Sequence, residues 1–491
     1  MIRHPLRTFA ARSIWTALSA WSALSAPAHA QAVDRTQPPE LTLPPDLKLP
    51  PTRTAALSNR LRLHVVEMHE VPLVQFILAV DAGGRLDGDR PGLASFTANM
   101  LDEGAGTRDA LGIAAQAAYL GATLSTSADW DHIYVSLQVP RRTMEPALDL
   151  MADVVLRPAF KSSEVARQRG LRLAGILQQK AEPTAVASLA FGALVFPTGH
   201  PYHNSLGGDS VSTATLDSVT VRRFYERYLR PDRASFIVTG DVTLTEVQKA
   251  IGRRFGNWRL GGSAVGSSPI PLTAQPSNRP TSIFLVDKPG AAQSVIRIGA
   301  PGVERTTPDY YAIEVMNTIL GGSFSSRLNQ NLRETKGYSY GAASGFQYRP
   351  LPGPFVAGSS VRTDVTDSAL VEFFKELRLI RDEPVSETEL ARAKAFLALG
   401  LGGEFETTGQ MASQISELLT FGLPPTYYSD YVQRIMAVTV DDVKRTAERY
   451  VDPNRFTVVV VGDLARIRPG VEALHLGPIS VRDLYGREVA Q

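Results

Sequence analysis

The sequence predicts an α+β protein made of two homologous sandwich domains, and three observations predict it. A block of the chain occurs twice: Tyr228-Leu-Arg-Pro231-Asp-Arg233 and the apolar run closing on Gly240-Asp241 recur as Tyr450-Val-Asp-Pro453-Asn-Arg455 and a run closing on Gly462-Asp463, at an offset of 222 residues. In both copies a helical pattern ending in Glu-Arg-Tyr meets a proline turn and then an apolar strand, a unit of folded structure. Between the copies, residues 261–280 are rich in Gly, Ser and Pro, the composition of a linker. The expected domains are therefore 53–260 and 281–466, with 467–491 as a C-terminal tail. Each is about 200 residues, long enough to bury its own core.

The elements follow in order. Residues 31–52 carry Pro38-Pro39, Pro44-Pro45 and Pro50-Pro51, which predicts an extended arm. Leu61 to Val66 reads as a strand, and so does Val74 to Val80, whose mostly apolar composition predicts a central position. Residues 91–104 and 110–120 read as helices, and Ile133 to Val139 alternates like a strand. Helices are expected at 143–156 and 162–180. The second half repeats the order, with strands at 282–286 and 294–299 and a helix at 308–320.

The 491 residues hold 51 Lys and Arg against 49 Asp and Glu, so nothing in the balance asks for nucleic acid or an anionic membrane. The first 30 residues read as a secretory signal: Arg3, Arg7 and Arg12 precede an apolar stretch from Ile14 to Leu24, and Ala28-His29-Ala30 offers a cleavage site before Gln31. No later apolar run reaches the roughly 20 residues a membrane span needs. There are no cysteines, which removes thiol catalysis and thiolate metal sites. A soluble exported protein, stabilised by its cores rather than by disulfides, is the expectation.

Residues 92–104 read Gly-Leu-Ala-Ser-Phe-Thr-Ala-Asn-Met-Leu-Asp-Glu-Gly. The frame Gly92, Leu93, Ala94, Phe96, Met100, Leu101 and Gly104 resembles the zinc helix of the insulinase/pitrilysin/mitochondrial-processing-peptidase family, G-L-A-H-F-L-E-H-M-L-x-x-G. Two His four residues apart share a helical face and can hold one zinc, with the Glu before the second as base. Here Ser95 and Asn99 stand at the histidines and Ala98 at the base. The family's third ligand, a Glu on a later helix, falls on Gly175, and an upstream Glu of that helix falls on Gln168. A hydroxyl and an amide are poor zinc ligands, and alanine exchanges no proton. The resemblance implies a chain with no metal site of its own.

The second half carries the other signature of the family. Leu320-Gly321-Gly322-Ser323-Phe-Ser-Ser326-Arg327-Leu328, then Leu332-Arg333-Glu-Thr-Lys-Gly337-Tyr338-Ser-Tyr340, resembles L-G-G-x-x-x-S-R-L…L-R-E-x-x-G-L-x-Y. In the family the Arg and the Tyr reach substrate held at the zinc; they fall on Arg333 and Tyr340. A phenol can donate to an oxyanion, and a guanidinium can hold a carbonyl or carboxylate. The plainer reading makes Arg333 a solvated helix-end charge and Tyr340 a half-buried strand aromatic. Gly337 should end the helix, with Tyr338, Tyr340, Ala342, Ser344 and Phe346 on one face of the next strand. Gly321, Gly322 and Ser323 admit two readings, a close approach of substrate backbone or a capping turn. His200-Pro-Tyr-His203 is a loop rather than a metal pair, since Pro201 breaks any helix that would align the two rings, and Asp129-Trp-Asp131-His132 reads as a turn.

The resemblance implies a metallopeptidase-like fold forming half of a clamshell around a chamber. It also implies a function: a non-catalytic, substrate-binding subunit of a heterodimeric periplasmic zinc peptidase. Arg333 and Tyr340 would complete, in trans, the active site of a homologous partner that carries the zinc and acts on unfolded peptides. The alternative is a proteolytically inactive member serving as a peptide-binding or assembly scaffold.

Overall fold

The computed structural model describes residues 47–259 and 279–489; the expected signal, most of the Pro-rich arm and nearly all of the linker lie outside the described residues. Runs rich in Val, Ile and Phe become strands, as their fit to a pleated, packed surface dictates. The first half holds β1 (Thr52–Ala56), β2 (Arg62–Glu67), β3 (Leu73–Val80), a short hairpin of β4 (Gly104–Ala105) and β5 (Arg108–Asp109), then β6 (Thr123–Ala128), β7 (Ile133–Pro140) and β8 (Ala234–Gly240). The second holds β9 (Ser282–Asp287), β10 (Gln293–Pro301), β11 (Ser339–Phe346), β12 (Pro354–Arg362), β13 (Thr457–Gly462) and β14 (Ile479–Arg482).

Two six-stranded sheets result, in the orders β1-β2-β8-β3-β7-β6 and β14-β9-β13-β10-β12-β11. The repeated segment supplies the matching inner strands, β8 and β13. Each runs parallel to one neighbour (β2 or β9) and antiparallel to the other (β3 or β10). Only the edge beside β2 or β9 differs. In the first sheet an N-terminal strand, β1, pairs antiparallel there; in the second, β14 from the chain's end pairs parallel. Residues 467–491 are thus no tail. They supply most of the helix Leu464–Ala473 and the edge strand of the second sheet.

Each sheet carries its own half's helices on one face. Phe76, Phe96, Phe236 and Phe255 are fully buried in the first of these cores, and Phe355, Phe373 and Phe374 in the second. The other faces are covered by exchange. Helix Pro183–Val195, from the first half, lays Val186, Ala190 and Phe191 on Val295, Val459 and Val461 of the second sheet. Helix Thr408–Phe421, from the second half, covers β8 and β3, and Thr239 Oγ1 donates to its Thr408 carbonyl at 2.6 Å. Central strands β8 and β13 therefore face apolar matter on both sides, which is why they read as mostly apolar runs.

Candidate functional site

The helix that carries the altered zinc frame spans Leu93–Asn99, shorter than the expected 91–104. Asp87 sets its start. Its carboxylate accepts from Gly92 N and Ala94 N, both at 2.7 Å, at the positive end of the helix. Burial pushes the Asp87 carboxyl up to about 7 against those two bonds and the nearby Arg172. Gly92 takes φ +91°, and a Cβ there would lie 2.7 Å from the Gly207 carbonyl oxygen, so only glycine fits. Past Met100 the chain turns toward the β4–β5 hairpin, and the frame residues Leu93, Phe96, Met100 and Leu101 are buried. The apolar half of the frame is thus the core-facing side of a two-turn helix.

Ser95 and Asn99 lie one turn apart, and a guanidinium joins them. Arg172, from helix Ser162–Ala181, donates through Nη1 to Ser95 Oγ and to the Gly92 carbonyl, each at 3.0 Å, and reaches Gly207 O at 3.5 Å. With the Asn99 amide oriented to suit its neighbours, its oxygen accepts from Arg172 Nη2 at 3.1 Å. The guanidinium also lies 4.9 Å from the Phe96 ring centroid. Burial holds its pKa down at about 10, with Asp87 acting the other way. Ser95 Oγ donates to Leu206 O at 2.8 Å, which fastens the helix to the loop before Gly207.

This set does not fit zinc. A hydroxyl, an amide and a fixed cation replace two imidazoles, and Ala98 is fully buried. At Gly175 an added Cβ would meet nothing within 4 Å, and Gln168 Nε2 donates to Glu103 Oε1. Among the described residues no cluster of three or more His, Asp or Glu could hold a metal. His200 Nδ1 accepts from Tyr202 N at 3.0 Å, and His203 Nδ1 bonds the Phe196 carbonyl at 2.9 Å, so both serve their loop. Asp129 closes a turn, accepting from Asp131 N and His132 N.

In the second half, helix Tyr310–Asn317 widens into a π-turn at Thr318–Gly322. A Cβ on Gly321 would sit 2.4 Å from both N and Oγ of Ser344 on β11, so this glycine lets the turn lie on its own strand. Gly322 is exposed, and Ser323 Oγ donates to Thr318 O at 3.1 Å. Arg327 grips Glu389 through two bonds of 2.7 and 3.0 Å, and that guanidinium holds the Glu389 carboxyl down at about 2. A second π-turn, Gln330–Thr335, ends at Gly337 with φ +62°; Gly337 N and Tyr338 N return to the Arg333 and Leu332 carbonyls.

Arg333 lies on that turn and is exposed, 4.7 Å from the Phe324 ring and 3.2 Å from the adjacent Glu334. Tyr340 is 89% exposed. It does not share a face with Ala342 and Ser344, which are buried. The register slips between Ser339 and Ala342, so three residues of β11 span two of β12. This bulge turns Tyr340 outward, the behaviour expected at an edge strand. Asn329 holds the bulge in place, accepting from Ala342 N at 3.3 Å and donating to the Phe324 carbonyl at 2.6 Å.

Two family models divide the chain between them. Residues 65–198 match the insulinase peptidase family M16, and 215–397 match the domain described as the M16 inactive domain. The chain belongs to the insulinase-like peptidase family M16. An uncharacterized zinc protease of Mycobacterium leprae is 25% identical over 393 residues, 79% of this chain and 86% of that protein. A non-peptidase homolog of Helicobacter pylori is 21% identical over 415 residues, 82% and 93%. The crystal structure of an M16 inactive domain from Pseudomonas fluorescens superposes with a TM-score of 0.77 at 26% identity, covering 84% of this chain and 98% of that one. With its ligand positions filled as described, this M16 chain is a non-catalytic member of the family. Sequence reasoning missed Arg172, whose only signal was a basic residue one turn before Gly175 on the third-ligand helix.

Proposed function

We propose that this chain is the substrate-binding subunit of a periplasmic M16 zinc peptidase. Arg333 and Tyr340 would be presented to the active site of a homologous partner that carries the zinc, and the substrate would be an unfolded peptide. One observation carries the reading: Tyr340 is 89% exposed on a bulged edge strand, beside no core it could serve. Phe324, 64% exposed, stacks with Arg333 in the same region, so three large side chains are displayed there without a part in folding. A phenol and a guanidinium so displayed can donate to a carbonyl oxygen and to a carboxylate of a bound peptide. The filled metal site supports a reading in which the zinc is the partner's. Export rests on the first 30 residues, outside the described part of the chain.

The test is peptide hydrolysis and zinc content for this chain, for an M16 chain with an intact H-x-x-E-H helix from the same host, and for the mixture. Hydrolysis is expected only on mixing, with zinc in the partner. Tyr340→Phe should lower turnover of the mixture by on the order of 10²-fold, the usual cost of one oxyanion donor. Hydrolysis by this chain alone, or no gain on mixing, refutes the proposal. Peptide binding without hydrolysis in any mixture transfers the chain to the scaffold class.

A further inference from the structure

The exchanged helix Pro183–Val195 does not close completely on the second sheet. Between them lies a cleft of about 390 Å³, walled by Trp130, Phe191, Phe196, Tyr202 and Val356. Its charged lining is Arg297 and Arg349, with His203 beside them; among the described residues no acidic side chain lines it. Arg349 is held 3.8 Å from the Trp130 ring and 4.4 Å from that of Tyr202, and donates to Gln347 Oε1 at 3.2 Å. Asp129 and Asp131 act on Arg349 electrostatically from outside the lining.

Arg297 is different. It sits mid-strand on β10, half-buried, and its side chain donates to the Ile296 carbonyl at 3.0 Å. Among the described residues it has no carboxylate partner. The matching strands show how unusual this is. In the first sheet the equivalent position, by register, is Ile77, opposite Ser136 on β7 and Ile237 on β8. In the second, Arg297 stands opposite Gly358 on β12 and Val459 on β13. A Cβ on Gly358 would lie 2.5 Å from the Ile296 carbonyl oxygen and 2.9 Å from Arg297 Nη1, so the glycine admits both the neighbouring strand and the guanidinium. One half thus covers an isoleucine with its borrowed helix, whereas the other covers an unpaired cation and leaves space above it. Burying a cation without a counter-charge is costly, and the fold gains nothing visible from it.

We propose that the cleft binds a small ligand bearing one carboxylate on an apolar body. The carboxylate pairs with Arg297 in a planar, two-bond contact, and the body lies against Phe191, Phe196 and Trp130. The C-terminal residue of a peptide and a medium-chain fatty acid share this chemistry. The site belongs to this chain alone and needs no partner subunit, so its test is independent of the reading above.

Calorimetric titration of the full chain with acetyl-Leu-Phe, with its C-terminal amide, and with decanoate decides the matter. The free acid should bind at least roughly tenfold tighter than the amide, a gap of about 1.4 kcal/mol. Arg297→Met should lower the affinity for the acid to that for the amide, with no loss of thermal stability, because the substitution removes a buried unpaired charge. Tighter binding of acetyl-Leu-Phe than of decanoate identifies a peptide terminus, and the reverse identifies a lipid acid. Equal affinity for acid and amide, no binding by any probe, or an unchanged affinity in a folded Arg297→Met protein overturns the proposal. If that variant does not fold, the comparison of acid with amide on the unaltered chain decides alone.

Discussion

Replacing Arg172 by alanine tests whether a guanidinium is the structural stand-in at the altered metal site. The side chain donates to Ser95 Oγ, the Gly92 carbonyl and the Asn99 amide at 3.0 to 3.1 Å. Its removal leaves few buried groups orphaned. The Gly92 carbonyl keeps the bond from Phe96 N at 2.9 Å, and Ser95 Oγ keeps Leu206 O at 2.8 Å. The loss is therefore the net worth of the charged bonds, about 1.5–3 kcal/mol each and not additive. Removing a cation whose burial is itself unfavourable returns part of this. A net loss of about 2 kcal/mol follows, a fall in Tm of roughly 4–8 °C for a unit of this size. Asp87 adds a pH signature. With its carboxyl at about 7, it is protonated in the fold at pH 5.5 and ionised at pH 8, where it loses its neighbouring cation. The Tm deficit of Arg172→Ala measured by calorimetry should be larger at pH 8 than at pH 5.5. A deficit under about 2 °C at both values, or a larger one at pH 5.5, refutes the reasoning.

Restoring the ligand positions with Ser95→His, Ala98→Glu, Asn99→His and Gly175→Glu should bring in no zinc while Arg172 remains. Adding Arg172→Leu should allow about one zinc per chain by elemental analysis. Gly321→Ala drives a methyl into Ser344 at 2.4 Å and should cost at least about 2 kcal/mol by denaturant unfolding. His64 and Asp87 should oppose one another between pH 4 and 7. Burial, aided by Arg62, lowers His64 to about 4, so its stabilising effect is present above pH 6.5 and is lost as pH falls toward 4. The Asp87 carboxyl is raised, so the fold binds its proton more tightly than the unfolded chain and stability falls as pH rises from about 4 to 7. Asp87→Asn should therefore steepen acid destabilisation in thermal melts, and His64→Phe should reverse the slope.

Much of this was legible because its signals are local. The repeated Tyr, Pro, Arg and Gly-Asp positions fix a helix end, a turn and a strand within about 15 residues of one another, and both copies fold that way. The apolar frame of residues 92–101 declared a buried helix face. What escaped depends on distant partners. Arg172 looked like any helix-surface cation until Ser95 and Asn99 came beneath it. The bulge at Tyr340 arises from pairing with β12 and from Asn329, neither visible in the alternation of β11 itself. β14 is four residues, Ile-Ser-Val-Arg, too short and too polar to stand out from a tail. Neither exchanged helix showed its destination, because an apolar helix gives no sign of which sheet it will cover.

The traded helices also set an order in time. Thr239 and the Thr408 carbonyl it binds are 169 residues apart, so the first sheet keeps one apolar face bare until most of the chain exists. At ribosomal rates of about 5–20 residues per second, that wait is on the order of 10–30 s. Helix Pro183–Val195 waits as well, since the strands it covers include β13, near the chain's end. The polypeptide therefore cannot complete its first half until residues 408–421 have been made. It is built to ripen late and as a whole.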